Sequence, residues 1–158
     1  VDEAVTLRLV DERDLDAFFE MYCDPESVRM AAFVPKHLTE RESARSHWLR
    51  VLVEPTVVAR TVMVGDAVAG SVLMFPLGGM PHIGYWFDRA YWGRGLGTQA
   101  VKQFLAELTD RPLYAAAAAD NVGSRRILEK CGFEVVETMR AFAEGRGEEI
   151  DELLFRLG

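Results

Sequence analysis

The chain is predicted to fold as a single α/β domain, a mixed and mostly antiparallel sheet with a central parallel pair and flanking helices. Two observations lead there. Short β-branched runs with apolar residues at alternate positions interleave with segments whose apolar residues recur at helical spacing. One strand–helix–strand unit, from His82 through Ala119, requires a crossover, so its two strands become parallel neighbours. The other strands pair antiparallel. A length of 158 residues suits one domain, 1–158, with a real core.

Thr6–Val10 alternates and reads as the first strand. Asp11–Met21 reads as a helix, with Leu15, Phe18, Phe19 and Tyr22 along its apolar face. Pro25–Pro35 reads as irregular. Thr39-Glu40-Arg41-Glu42 has the form of a capping box, with Thr39 as N-cap of a helix running to about Val53 and Pro55 ending it. Thr56–Val64 and Ala67–Phe75 are strands joined at a Gly65-Asp66 hairpin turn. Gly78-Gly79-Met80-Pro81 is a loop, and His82–Phe87 is a strand. A glycine loop then opens a helix that carries Leu96, Ala100, Phe104 and Leu108 on one stripe and ends near Thr109–Pro112. Leu113–Ala119 is a strand of small side chains, and Val122–Lys130 is a helix stopped by Gly132. Phe133–Arg140 and Ile150–Arg156 form a closing hairpin pair across a polar loop.

Composition narrows the function. The chain is 49% hydrophobic with a formal charge of −7, which argues against a nucleic-acid binder or an anionic membrane surface and allows a cationic acceptor. Two cysteines, Cys23 and Cys131, are too few for a disulfide scaffold, so a reduced, cytoplasmic protein is expected. No apolar run reaches membrane-spanning length, and Val1-Asp2-Glu3 does not open a signal peptide. His37, His47 and His82 are too scattered for metal ligation.

The most informative segment is Tyr91-Trp92-Gly93-Arg94-Gly95-Leu96-Gly97-Thr98. Glycines at alternate positions let backbone N–H groups curl closely around a ligand. The helix that follows adds unpaired donors and the positive end of its dipole, a site suited to phosphate. The dinucleotide fingerprint fails here, because Thr98 stands at the sixth position and no acidic residue follows at ribose distance. The nucleoside-triphosphate loop fails too, because no Gly-Lys-Ser/Thr is present.

Arg94-Gly95-Leu96-Gly97-Thr98 resembles instead the pyrophosphate loop of the GNAT superfamily of N-acetyltransferases. The stretch Asn121-Val122-Gly123-Ser124-Arg125-Arg126-Ile127-Leu128-Glu129-Lys130-Cys131-Gly132-Phe133 resembles that superfamily's Asn-x-x-Ser…Gly-Phe segment, in the form typical of ribosomal-protein N-terminal acetyltransferases. Ile83-Gly84-Tyr85-Trp86-Phe87 and Tyr91-Trp92-Gly93 are similar to the same branch. The resemblance implies the GNAT fold, acetyl-coenzyme A as co-substrate, no metal, and direct transfer to a primary amine. That amine is a small molecule or a protein or peptide N-terminus.

It also implies roles. Backbone N–H groups of Arg94, Gly95, Gly97 and Thr98 hold the pyrophosphate. The pantetheine arm lies as a false strand where the two parallel strands part, with a backbone N–H of Trp86 or Phe87 aimed at the acetyl oxygen. The side chains of those two residues pack in the core. Asn121 contacts the coenzyme arm while capping its helix. Many members carry a tyrosine where this chain has Leu128, so Ser124 is expected to donate a hydrogen bond to the leaving sulfur. His82 stands where several members place a basic glutamate and is the expected general base. Glu144, Glu148, Glu149 and Asp151 are the runners-up. Arg125, Arg126 and Lys130 are placed to meet the ribose phosphate. Cys131 reads as a small buried residue rather than a nucleophile. A non-catalytic acyl-coenzyme A sensor is the alternative, favoured by the missing tyrosine and glutamate. A nucleotide-binding protein is a weaker third reading, and the sequence leaves a homodimer open.

Overall fold

A computed structural model describes residues 4–158, and the opening Val1-Asp2-Glu3 lies outside the described residues. Seven strands form one sheet in the order β1-β2-β3-β4-β5-β7-β6. They are β1 (Val5–Leu9), β2 (Val58–Val64), β3 (Ala67–Leu77), β4 (Met80–Phe87), β5 (Leu113–Ala118), β6 (Glu134–Ala143) and β7 (Glu148–Leu157). The helices are α1 (Leu15–Tyr22), α2 (Pro25–Ala31), α3 (Arg41–Val53), α4 (Leu96–Glu107) and α5 (Val122–Lys130). Every neighbouring pair is antiparallel except β4–β5, the crossover pair expected from the sequence.

Alternation along the strands divides the core between the two faces of the sheet. One face buries Val62, Val72, Ile83, Leu113 and Phe155 against Leu96, Val101 and Phe104 of α4 and Leu128 of α5. The other face packs Leu73 and Trp86 against Phe18 and Tyr22 of α1 and Trp48 of α3. Among the described residues, no helix is long and apolar enough to cross a membrane.

Local chemistry moves several boundaries away from the sequence reading. The segment expected to be irregular contains α2, because the Asp24 carboxylate accepts from the Ser27 N–H at 3.1 Å and Pro25 stands in the first turn, where it needs no donor. Its last residue turns the chain sharply. Ala32 sits at φ 64° while the Phe33 N–H donates to the Ala31 carbonyl at 2.7 Å, a γ-turn that swings Phe33 toward the cleft described below. The capping box at Thr39 does not form. That hydroxyl donates back to the Lys36 carbonyl at 2.7 Å within a 3-10 turn, and α3 starts at Arg41 behind Glu40, with no side-chain cap. The first helix starts at Leu15, because Asp11 and Asp14 cap a preceding 3-10 turn reciprocally. Gly78 and Gly79, both at positive φ, complete a tight turn, so β4 begins at Met80 rather than after Pro81.

Candidate active site

The parallel pair creates the site by failing to continue. β4 and β5 are in register only at His82 and Tyr114, and beyond that rung the strands part. A cleft of about 680 Å3 occupies the gap. It is lined by β4 from Ile83 to Phe87, by Ala116–Ala118 of β5, by the glycine loop and by the first turns of α4 and α5. α2 and the segment after it, with Glu152 of β7, close the opposite side.

At the loop, Gly93 and Gly95 have φ of 73° and 75°, a left-handed backbone that side chains disfavour. A Cβ built on either one meets nothing within 4 Å, so the bend is open. Gly97 serves a different purpose. A Cβ there would stand 2.7 Å from Ile127 Cδ1 and 3.1 Å from Phe87 Cε2, so its bareness lets α4 close on α5 and β4. Thr98 lines the cleft beside it. The Arg94 guanidinium donates to the Ala90 carbonyl at 3.0 Å and lies 5.5 Å from the Tyr91 ring centre. Phe87 packs into the core, and its carbonyl accepts from the Trp92 indole at 3.0 Å. Trp86 faces the other side, edge-on to Tyr22, and its indole N–H is buried without a hydrogen-bond partner.

The start of α5 supplies the next group. Asn121 caps the helix by accepting from the Ser124 N–H at 3.2 Å, and its amide donates to the Met30 carbonyl of α2 at 3.1 Å. Ser124 Oγ lies 2.5 Å from the Tyr85 hydroxyl, a pairing that the sequence reading missed. Burial pushes the Tyr85 hydroxyl well above its ordinary pKa, and the Ser124 hydrogen bond opposes that only in part. It therefore keeps its proton and can supply a hydrogen bond. Leu128, one turn on, is wholly buried in the core. Arg126 and Lys130 line the cleft, whereas Arg125 turns back to donate to the Ala119 carbonyl at 2.8 Å. Cys131 is partly buried, and burial raises its thiol pKa.

The residues expected as bases do not line the cleft. His82 stands at the closed rung, between Phe75 and Tyr114, with Nδ1 2.9 Å from the Met80 carbonyl, and it is not among the cleft-lining residues. Glu144 accepts from the Lys36 N–H at 3.0 Å, and Asp151 pairs with Arg140 at 3.2 Å. Glu148 and Glu149 are exposed. Glu152, one residue past the expected set, is the only carboxylate lining the cleft among the described residues. Burial raises its pKa. The signal for it was present in the sequence: a glutamate at the same alternation as Ile150 and Leu154 is a charge set into an apolar stripe.

The sheet is thus splayed at its parallel pair, with a glycine loop opening a helix at the split. A family model described as an acetyltransferase (GNAT) domain matches residues 4–134, and the chain belongs to that family of N-acetyltransferases. An uncharacterized N-acetyltransferase, p20, of Bacillus licheniformis is 23% identical over 98% of this chain and 93% of its own length. Among solved structures, RimL, a ribosomal L7/L12 alpha-N-protein acetyltransferase in complex with coenzyme A, superposes with a TM-score of 0.81 at 17% identity over 98% of this chain and 94% of that one. The protein yncA of Salmonella typhimurium, solved with its cofactor acetyl-CoA, gives 0.77 at 18% identity over 98% of this chain and 93% of that one.

Proposed function

We propose that the protein moves an acetyl group from acetyl-coenzyme A directly to a primary amine. The observation that carries this reading is the parting of β4 and β5 between an open glycine bend and the Ser124–Tyr85 pair. Direct transfer needs a thioester held still, a donor for the oxygen that gains charge, and a proton for the departing sulfur. The bend from Arg94 to Thr98 offers amide donors to a pyrophosphate, with Arg126 and Lys130 at the same end to meet phosphate charge. Beyond the rung, a backbone N–H of β4 at Trp86 or Phe87 is the donor we assign to the developing oxyanion. Asn121 holds the arm's edge. Ser124 donates to the sulfur as the C–S bond breaks, and Tyr85 donates to Ser124 in turn, taking the place of the tyrosine missing at Leu128.

Thiol release from acetyl-coenzyme A with a panel of amines tests this. Amine-dependent release is expected, with Ser124→Ala lowering kcat about a hundredfold and Tyr85→Phe about tenfold, while coenzyme binding persists. Coenzyme binding without any amine-dependent release would make the protein an acyl-coenzyme A sensor instead.

A further inference from the structure

The half of the cleft away from the glycine loop has its own chemistry. Its walls are apolar: Tyr22, Phe33, Leu38, Leu73 and Phe75 line it together with the Trp86 ring. Several polar groups interrupt them, Ser27 and Ser71 among these, and two bear on the acceptor. One is the Trp86 indole N–H, buried and unpartnered. The other is the Glu152 carboxylate, partly buried, with no hydrogen bond or ion pair from any described residue. Strand alternation puts both on the face covered by α1 and α2. Glu152 pairs with Ala118, four residues past the Tyr114 rung and about 13 Å along the sheet. Trp86 stands four residues past His82 on the other side of the gap. The basic residues that line the cleft, Arg126 and Lys130, belong to α5 on the opposite face.

Unpartnered buried groups of this kind are costly unless a ligand completes them. A lone carboxylate in an apolar wall draws an ammonium, and a lone N–H draws a neutral oxygen. An acceptor carboxylate would meet Glu152 with no cation beside it. The β6–β7 turn braces this side of the cleft. Its Gly145 N–H donates to the Ala32 carbonyl at 2.8 Å just after α2, Arg146 donates to the Arg29 carbonyl of α2 at 2.5 Å, and Arg146 bridges to Asp120, between β5 and α5, at 2.8 Å.

We infer that Glu152 and the Trp86 indole N–H form the acceptor site, and that the acceptor is a primary amine on an apolar body, carrying a neutral oxygen and no carboxylate. This rests on the acetyl-transfer reading above. Glu152 takes one proton from the bound ammonium. The freed lone pair forms the C–N bond to the acetyl carbon as the C–S bond breaks. The amide nitrogen sheds its second proton and the thiolate takes one, leaving a net proton for solvent. The titratable groups sharing the cleft are Tyr22 on α1, Tyr85 on β4, Tyr91 before the loop, and Arg126 and Lys130 on α5. Glu152 is the one carboxylate lining the cleft among the described residues, so an acid limb in the rate belongs to it.

Phenylalaninamide, 2-phenylethylamine and phenylalanine serve as probes, in calorimetric binding to the coenzyme A-loaded protein and in steady-state thiol release. Phenylalaninamide should bind and react best, 2-phenylethylamine about tenfold less well, and phenylalanine at least about a hundredfold less well. Glu152→Gln should leave coenzyme affinity intact, weaken binding of both amines, lower turnover about a hundredfold and abolish the acid limb of the kcat/KM profile. Trp86→Phe should collapse the preference for phenylalaninamide over 2-phenylethylamine, a change that mere loss of stability would not produce. Phenylalanine reacting as well as its amide, or Glu152→Gln keeping wild-type turnover and pH profile, overturns the inference. Glu152-dependent amine binding with no thiol release from any amine supports the site and overturns acetyl transfer.

Discussion

Gly95 and Gly97 are two residues apart and bare for opposite reasons. Gly95 holds a left-handed backbone over open space, and Gly97 lies under Ile127 and Phe87. Gly95→Ala is expected to cost about 1 kcal/mol of strain and to weaken acetyl-coenzyme A binding out of proportion, because the new methyl stands in the mouth of the bend. Gly97→Ala should cost about 1–2 kcal/mol through overpacking. Thermal unfolding beside calorimetric titration with coenzyme A separates the two effects. The glycine spacing was legible along the chain, and so were Asn121 and Ser124, because each belongs to a local pattern. Tyr85 was not, because its partner is 39 positions away and only the fold brings the hydroxyls together. His82 drew attention by its position on the strand. The structure sets it at the closed rung, so His82→Ala is expected to leave the acid limb of the rate profile in place.

α2 shows how a short element can escape periodicity and still position a site. Its seven residues carry no apolar stripe; an N-terminal cap and the turn at Ala32 define it. The signal that could have found it is Asp24-Pro25, a capping residue followed by a proline suited to the first turn. Asp24 also pairs with Arg89, in the turn just before the glycine loop, at 3.1 Å. This one carboxylate therefore steadies α2, one wall of the cleft, and ties it to the glycine-loop end. Asp24→Ala is expected to lower stability by about 1 kcal/mol and to raise KM for the amine more than for acetyl-coenzyme A. Urea unfolding and initial-rate kinetics check the two parts. Thr39 is the converse case. A capping pattern was present in the sequence, but the hydroxyl closed the turn before it instead.

Across the whole molecule, the helical layer over α1 is pinned to the sheet by Asp14. It is 4% exposed and accepts from Arg8 of β1 at 2.7 and 2.8 Å, from Thr61 of β2 at 2.7 Å and from the Asp11 N–H at 2.9 Å. Burial pushes this carboxyl's pKa up, but the hydrogen bonds from Arg8, Asp11 and Thr61 outweigh it and hold the pKa below the ordinary value. The folded pKa lies below the unfolded one, so the stabilisation is complete above the unfolded value of about 3.9 and is lost as pH falls through the folded one. Asp14→Asn should cost about 3 kcal/mol near neutral pH and flatten the fall in stability on acidification, as followed by denaturant unfolding across the acid range. The parallel pair could be anticipated from the crossover alone, whereas the place of β7 between β5 and β6 could not. That the pair shares a single rung could not, because strand divergence depends on what packs above and below, and no local pattern encodes it.

That single rung gives the sheet two additional edges in its interior. Strand edges on a protein's rim invite unwanted partners and are usually blunted by charge, proline or twist. Here the bare backbone of β4 and β5 is sandwiched between helical layers, out of reach of another protein's strand. A thin, flexible chain bearing its own amides is therefore the guest expected to complete the ladder, selected by girth before any side chain touches it.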